Sequence, residues 1–155
     1  MVSIERVRAR AAFGHLHRLL VEYEHDLPPD LRHGREPALP EVEALYDGER
    51  AAAFLARIDG AYGGCVAVRA LTTPSAVLQR LYVRPDYRGK GAARSLALAA
   101  VEYARERGCR RIVLDTQAQR LSAAYNLYVA LGFVECEPFE PVDYAAPTYM
   151  ELKLH

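Results

Sequence analysis

The sequence predicts one α/β domain built on a mixed central sheet of about six to seven strands with flanking helices. Three observations carry that expectation. A chain of 155 residues, 51% of them apolar, is large enough to bury one core. Short alternating or apolar runs give way, again and again, to stretches with helical spacing. The early runs meet at a tight turn, which demands antiparallel pairing, whereas the later ones are separated by helices, which permits parallel crossovers.

The elements follow in order. "VSIERVRA" is short and alternating, and reads as a strand. In "FGHLHRLLVEYEHDL" the apolar residues Phe13, Leu16, Leu19, Leu20 and Tyr23 recur at helical spacing. "PPDLRHGREPALP" is a proline-rich loop, and "PEVEALY" starts with proline in a first turn, so a brief second helix follows. Asp59 and Gly60 supply the turn of a hairpin in "AAAFLARIDGAYGGCVAVRAL". "AVLQRLYV" is the next strand, and "GAARSLALAAVEYARERG" is an Ala- and Leu-rich helix stopped by Gly108. Strand "RIVLDT", helix "RLSAAYNLYVALG" and strands "FVECEPF" and "PTYMELKL" complete the chain.

Composition excludes several functions. The formal net charge is zero, so no global field recruits nucleic acid or an anionic membrane. No run of about 18 apolar residues is present, and no apolar stretch backs the charged N-terminal "MVSIERVRAR", so a cytoplasmic protein is expected. Cys65, Cys109 and Cys136 are odd in number and widely spaced, which suits reduced thiols better than disulfides or a zinc site. His15 and His17 face different sides of a helix, and His25, His33 and His155 are isolated in sequence, so no metal is expected.

The informative stretch is "RPDYRGKGAARS", between a strand and a long helix. A helix start offers unpaired N–H groups and a partial positive charge, and glycines let an anion come close to that backbone. The spacing fits neither common nucleotide motif. Lys90 precedes Gly91 rather than Ser or Thr, against a P-loop, and Arg94 stands where the dinucleotide fingerprint needs Gly or Ala. On these residues alone, an ordinary helix-capping loop remains equally open.

The whole segment "LYVRPDYRGKGAARSL" resembles the acetyl-CoA-binding signature of the GNAT acetyltransferase superfamily, Arg/Gln-x-x-Gly-x-Gly/Ala, through Arg88, Gly91 and Ala93. A second segment, "AAYNLYVALGF", resembles the family's Ala-x-x-Leu-Tyr-x-x-x-Gly-Phe signature through Ala124, Leu127, Tyr128, Gly132 and Phe133. Less specifically, the resemblance reaches from the first helix to "YMELKL" and implies a GNAT-like fold. It further implies that the backbone from Arg88 through Gly89, Lys90, Gly91 and Ala92 to Ala93 holds the pyrophosphate of acetyl-CoA, the co-substrate. The strand edge at Leu81, Tyr82 and Val83 would pair with the pantetheine arm. Tyr128 would sit at the thioester sulfur and protonate the departing thiolate, with Tyr125, outside the signature, as the weaker candidate.

Two positions depart from the family pattern. Gln79 stands where many members carry a strand glutamate, and Leu121 replaces a frequent asparagine. The base is therefore left open among Glu22, Glu24, Asp26, Asp115 and Glu137.

The expected function is transfer of acetyl from acetyl-CoA to a primary amine, by direct attack in a ternary complex, since no cysteine lies in an activated setting. A non-catalytic acetyl-CoA sensor and a peptide or protein acetyltransferase are the alternatives. Residues 133–151 carry Glu135, Glu137, Glu140, Asp143 and Glu151 with no Lys or Arg, and their loop adds Phe139 and Tyr144; on these residues a solvated acidic loop stays equally open, and the resemblance, in which the last two strands wall the acceptor side, implies a cationic small-molecule acceptor. Neither nucleic acid nor membrane is expected as a partner, and a homodimer is allowed.

Overall fold

The computed structural model describes residues 1–34, 37–71 and 74–155; residues 35 and 36 of the expected proline-rich loop lie outside the described residues. The elements are β1 (Val2–Arg6), α1 (Arg10–Asp26), α2 (Leu39–Tyr46), β2 (Ala51–Ile58), β3 (Ala61–Ala70), β4 (Ser75–Val83), α3 (Ala92–Glu106), β5 (Arg111–Thr116), α4 (Ser122–Ala130), β6 (Val134–Glu135) and β7 (Thr148–Lys153). Short 3₁₀ turns at Pro29–Leu31 and Pro85–Tyr87 start on prolines, whose fixed φ suits a first helical position.

All seven strands form one sheet, in the order β1-β2-β3-β4-β5-β7-β6. Asp59 and Gly60 close the β2–β3 hairpin with φ of 51° and 89°, the left-handed pair that matches the twist of two antiparallel strands. Each face of the sheet has its own core. Phe13, Leu16, Leu19 and Leu20 of α1 and Val42 and Tyr46 of α2 pack on Leu55, Cys65 and Tyr82. On the other face, Leu96, Ala97 and Ala100 of α3 and Tyr128 of α4 pack on Val66, Leu78, Ile112 and Met150. The small residues of α3 let that helix lie close to the sheet. Among the described residues, no helix is long and apolar enough to cross a membrane.

One pair of strands decides where a ligand can enter. β4 and β5 are the parallel neighbours, and they pair only at Ser75↔Arg111, Ala76↔Ile112 and Val77↔Val113. Beyond Val113, β5 continues on β7 alone, to Thr116↔Thr148, and β4 is left with a bare edge toward β5. β6 is shorter than the run "FVECEPF" predicts, with two residues paired to β7 and one further bond from Cys136 N–H to the Tyr149 carbonyl. Pro138 and Pro141 then remove the amides a longer ladder would need.

Candidate active site

The parted strands open a cleft of about 500 Å³. Its upper wall is the β4 edge at Leu81, Tyr82 and Val83, its mouth is the loop and first turn of α3, and its floor holds Asp115, Leu127 and Tyr128. Tyr82 and Val83 pair with Cys65 and Gly64 of β3, so their other side faces the cleft with free backbone groups. That edge suits an extended amide-bearing chain.

At the mouth, the backbone makes the site. Gly89 and Gly91 have φ of 82° and 84°, a region costly for residues with a Cβ, and a Cβ on either would meet nothing within 4 Å. Gly91 is the N-cap of α3, with no side-chain cap and no acid in the first turn. The first bond of the helix runs from Ser95 N–H to the Gly91 carbonyl, and among the described residues the amides of residues 89–94 meet no backbone acceptor. A cluster of unpaired amides on the positive end of a 15-residue helix is a seat for an anion.

The side chains around it do something else. Arg88 donates from Nε to the Val83 carbonyl at 2.8 Å and from its terminal nitrogen to Asp26 at 3.2 Å, which ties the loop to the strand end and to α1. Lys90, expected at the co-substrate, does not line the cleft: its ammonium lies 2.5 Å from Asp59 on the β2–β3 hairpin. Lys90 and the N-terminal ammonium together hold the Asp59 carboxyl at about 2, below its ordinary range. Leu81, Tyr82, Val83, Arg88, Gly89, Gly91, Ala92, Ala93 and Tyr128 all line the cleft.

Tyr128 is placed by the end of its helix. Gly132, at φ 102°, turns the chain back, so that Phe133 N–H bonds to the Tyr128 carbonyl and Gly132 N–H to that of Val129. This left-handed cap buries Phe133 against the Tyr128 ring, with centroids 5.7 Å apart. The Gly-Phe of the second signature is thus a helix cap that fixes the tyrosine. Burial pushes the Tyr128 phenol well above its usual range, with smaller contributions from Tyr23 and Asp115, so it stays protonated at neutral pH. Tyr125 points elsewhere and donates to Glu135 at 2.9 Å on the surface. Leu121 occupies the cleft wall at the position of the missing asparagine.

The carboxylates separate by their partners. Glu22 is held bidentately by Arg84, with both contacts at 2.8 Å. Glu24 is buried and accepts from the His33 ring and from His33 N–H at 2.9 Å. Asp26 meets Arg88, and Glu137 is exposed. Asp115 lies on the cleft wall with Tyr128, and one of its oxygens accepts from Tyr144 at 2.6 Å. The Gln79 amide is engaged at both ends, donating to Tyr46 at 3.0 Å and accepting from Arg69 at 3.1 Å.

His33, isolated in sequence, joins a chain in space. Its Nδ1 bonds to Glu24, and its Nε2, 2.5 Å from Arg80, accepts from that guanidinium. Tyr23 stacks on the ring at 6.0 Å. A second cavity, of about 250 Å³, lies on the α1/α2 side and shares Tyr23 and Arg80 with the cleft. Nothing in residue spacing could have joined positions 24, 33 and 80. The acidic loop is also less open than its composition suggests. Glu140 pairs with Arg69, Tyr144 turns inward to Asp115, and Phe139 packs edge-on to Tyr149 at 5.2 Å.

Residues 15–133 match the model of the acetyltransferase (GNAT) family. The chain is 37% identical over 71% of its length to an uncharacterized N-acetyltransferase, YjgM, of Escherichia coli. It is 35% identical over 61% to an N-acetylaspartate synthetase of Xenopus tropicalis, and 29% over 64% to an aminoglycoside N(6')-acetyltransferase of Stenotrophomonas maltophilia. It spans 64%, 35% and 74% of those three proteins. The PaiA N-acetyltransferase of Thermoplasma acidophilum, solved in complex with coenzyme A, superposes with a TM-score of 0.76 at 18% identity, over 99% of both chains. With its parted parallel strands, its amide-lined helix start and a family match across most of its length, the chain belongs to the GNAT acetyltransferase family.

Proposed function

We propose that this acyltransferase moves acetyl from acetyl-CoA to the primary amine of a small molecule, by direct attack in a ternary complex. One observation carries the reading: the amide seat at residues 89–94 opens into a cleft that ends at Tyr128 and Asp115. The pyrophosphate rests on the amides of residues 89–94, and the pantetheine amides extend the β4 edge at Leu81–Val83. The thioester then lies beside Tyr128. Relatives named for N-acetylaspartate and for aminoglycosides support a small-molecule acceptor.

The amine arrives as an ammonium, and populating its neutral form at pH 7 costs about 4 kcal/mol for a pKa near 10. Asp115 attracts that ammonium with the oxygen that Tyr144 leaves unused, and passes its proton to solvent. The nitrogen attacks the acetyl carbonyl, the C–S bond breaks, and Tyr128 donates a hydrogen bond to the sulfur as charge develops there. A phenol with a raised pKa is a poor outright acid toward a thiolate, so its part is mostly to stabilise charge, with the thiol's proton made good from the nitrogen of the tetrahedral intermediate as the amide forms. Asp115 in the cleft supports this reading over a non-catalytic sensor, which would need no carboxylate there. The Cys65 thiol, pushed by burial up to about 12, is no candidate for an acetylated intermediate.

The test is thiol release from acetyl-CoA with a panel of small amines and peptides. Amine-dependent release is expected. Tight acetyl-CoA binding without release for any acceptor would favour the sensor, and release with peptides alone would favour a protein acetyltransferase.

A further inference from the structure

Regular alternation along β4 would put Arg80 on the same face as Leu78, toward α3 and α4. The register against β3 shows otherwise: Ala67 pairs with Gln79 and Cys65 with Tyr82, so β4 holds one residue more than β3 in this interval. Arg80 is in that bulge, in the left-handed region at φ 58°. As a result Gln79 and Arg80 both reach the α1/α2 face, the first to Tyr46 and the second to His33. A non-glycine residue held in the left-handed region at a bulge is a feature that re-aims a side chain. Here it delivers a guanidinium to the boundary between the cleft and the second cavity.

That guanidinium differs from those of five other arginines. Arg69, Arg84, Arg88, Arg111 and Arg120 meet Glu140, Glu22, Asp26, Glu151 and Asp30. Among the described residues, Arg80 has no carboxylate within ion-pair distance, and donates to an imidazole whose other nitrogen is engaged by Glu24. A guanidinium presents a planar fork of donors that matches a carboxylate better than it matches one ring nitrogen. The acids on the second cavity's wall are Glu24, bound to His33, and Glu41 of α2.

We propose that the acceptor is an amino acid or a similar small amine carrying a carboxylate, and that Arg80 holds that carboxylate while the amine faces the thioester. The proposal rests on the transferase reading of the same cleft and narrows its acceptor. The acidic loop adds little against it, since Glu140 is neutralised by Arg69.

The experiment compares matched pairs, free amino acids against the corresponding amino acid amides, with a polyamine and an aminoglycoside alongside. Initial rates of thiol release are measured with the parent protein, Arg80→Gln and Arg80→Lys. The free acids are expected to exceed their amides by at least about 10-fold in kcat/KM. Arg80→Gln should lower kcat/KM for the acids by about 10²-fold and for the amides by less than about 3-fold, with Arg80→Lys restoring part of the loss for the acids. Calorimetry of the same acids and amides on the CoA-loaded protein reads the contrast without turnover, and is expected to show the acids bound at least about 10-fold more tightly than the amides. Amides, polyamine or aminoglycoside used as well as the acids, or an Arg80→Gln effect equal on both members of a pair, overturns the proposal and leaves the transferase reading standing. No release with any amine from bound acetyl-CoA overturns both.

Discussion

The two halves of the cleft are built from different materials. The half proposed for the co-substrate is backbone: consecutive amides at residues 89–94, two left-handed glycines and one bare strand edge, all within residues 81–94. The proposed acceptor half is side chains from separate segments: Tyr23 from α1, Arg80 from β4 and Asp115 from β5 line the cleft, with His33 and Glu24 behind Arg80 and Tyr144 on Asp115. A ligand common to a whole family can be bound by groups every residue possesses, while a ligand that differs between members needs groups that can be exchanged. In this protein conformation sets the first half, and chemical identity sets the second.

The comparison can be broken at several points. The largest effect is expected at the amide seat. Gly91→Glu places a carboxylate over the amides and should weaken acetyl-CoA binding by 10²-fold or more in calorimetry. Gly91→Ala meets only the conformational penalty at φ 84°, about 1 kcal/mol. Equal losses in the two variants would mean that conformation, not charge at the seat, controls binding. Next comes Tyr128→Phe, which keeps the packing on Phe133 and deletes the hydroxyl. We expect kcat to fall about 10²-fold with the acetyl-CoA affinity unchanged, and full turnover would reduce Tyr128 to a core aromatic.

Smaller changes test the acceptor side. Asp115→Asn should cut acceptor kcat/KM by about 10-fold or more at neutral pH and leave the acetyl-CoA KM alone, and the loss should shrink as pH approaches the amine's own pKa, where the free base needs no help. A loss independent of pH would assign Asp115 a structural role through Tyr144. The smallest effect is predicted for Lys90→Ala. Because its ammonium sits on Asp59 rather than in the cleft, acetyl-CoA KM should change by less than about 2-fold, as suits an exposed ion pair. A tenfold rise would show that Lys90 leaves Asp59 for the co-substrate.

This division also explains what the sequence could tell. Glycine with positive φ, proline at a first turn and apolar spacing are local signals, so every strand and helix and the amide loop were legible. Phe133 and Gly132 were legible as a motif, although their role as a cap that fixes Tyr128 needed the hydrogen bonds. The length of β6 was overestimated because an alternating run says nothing about when its partner's register ends. The place of the Lys90 side chain was not legible, because Asp59 holds its ammonium from a hairpin 31 residues away in sequence. The Glu24–His33–Arg80 chain was invisible because it depends on a bulge in β4, which shifts Arg80 to the opposite face from the one simple alternation gives it.

Bisubstrate initial-rate kinetics test the central claim most directly, with acetyl-CoA and one accepted amine varied against each other. Direct attack in a ternary complex predicts intersecting double-reciprocal lines and no thiol release in the absence of amine. Parallel lines, with a burst of thiol released before amine is added, would show an acetylated enzyme and contradict the account.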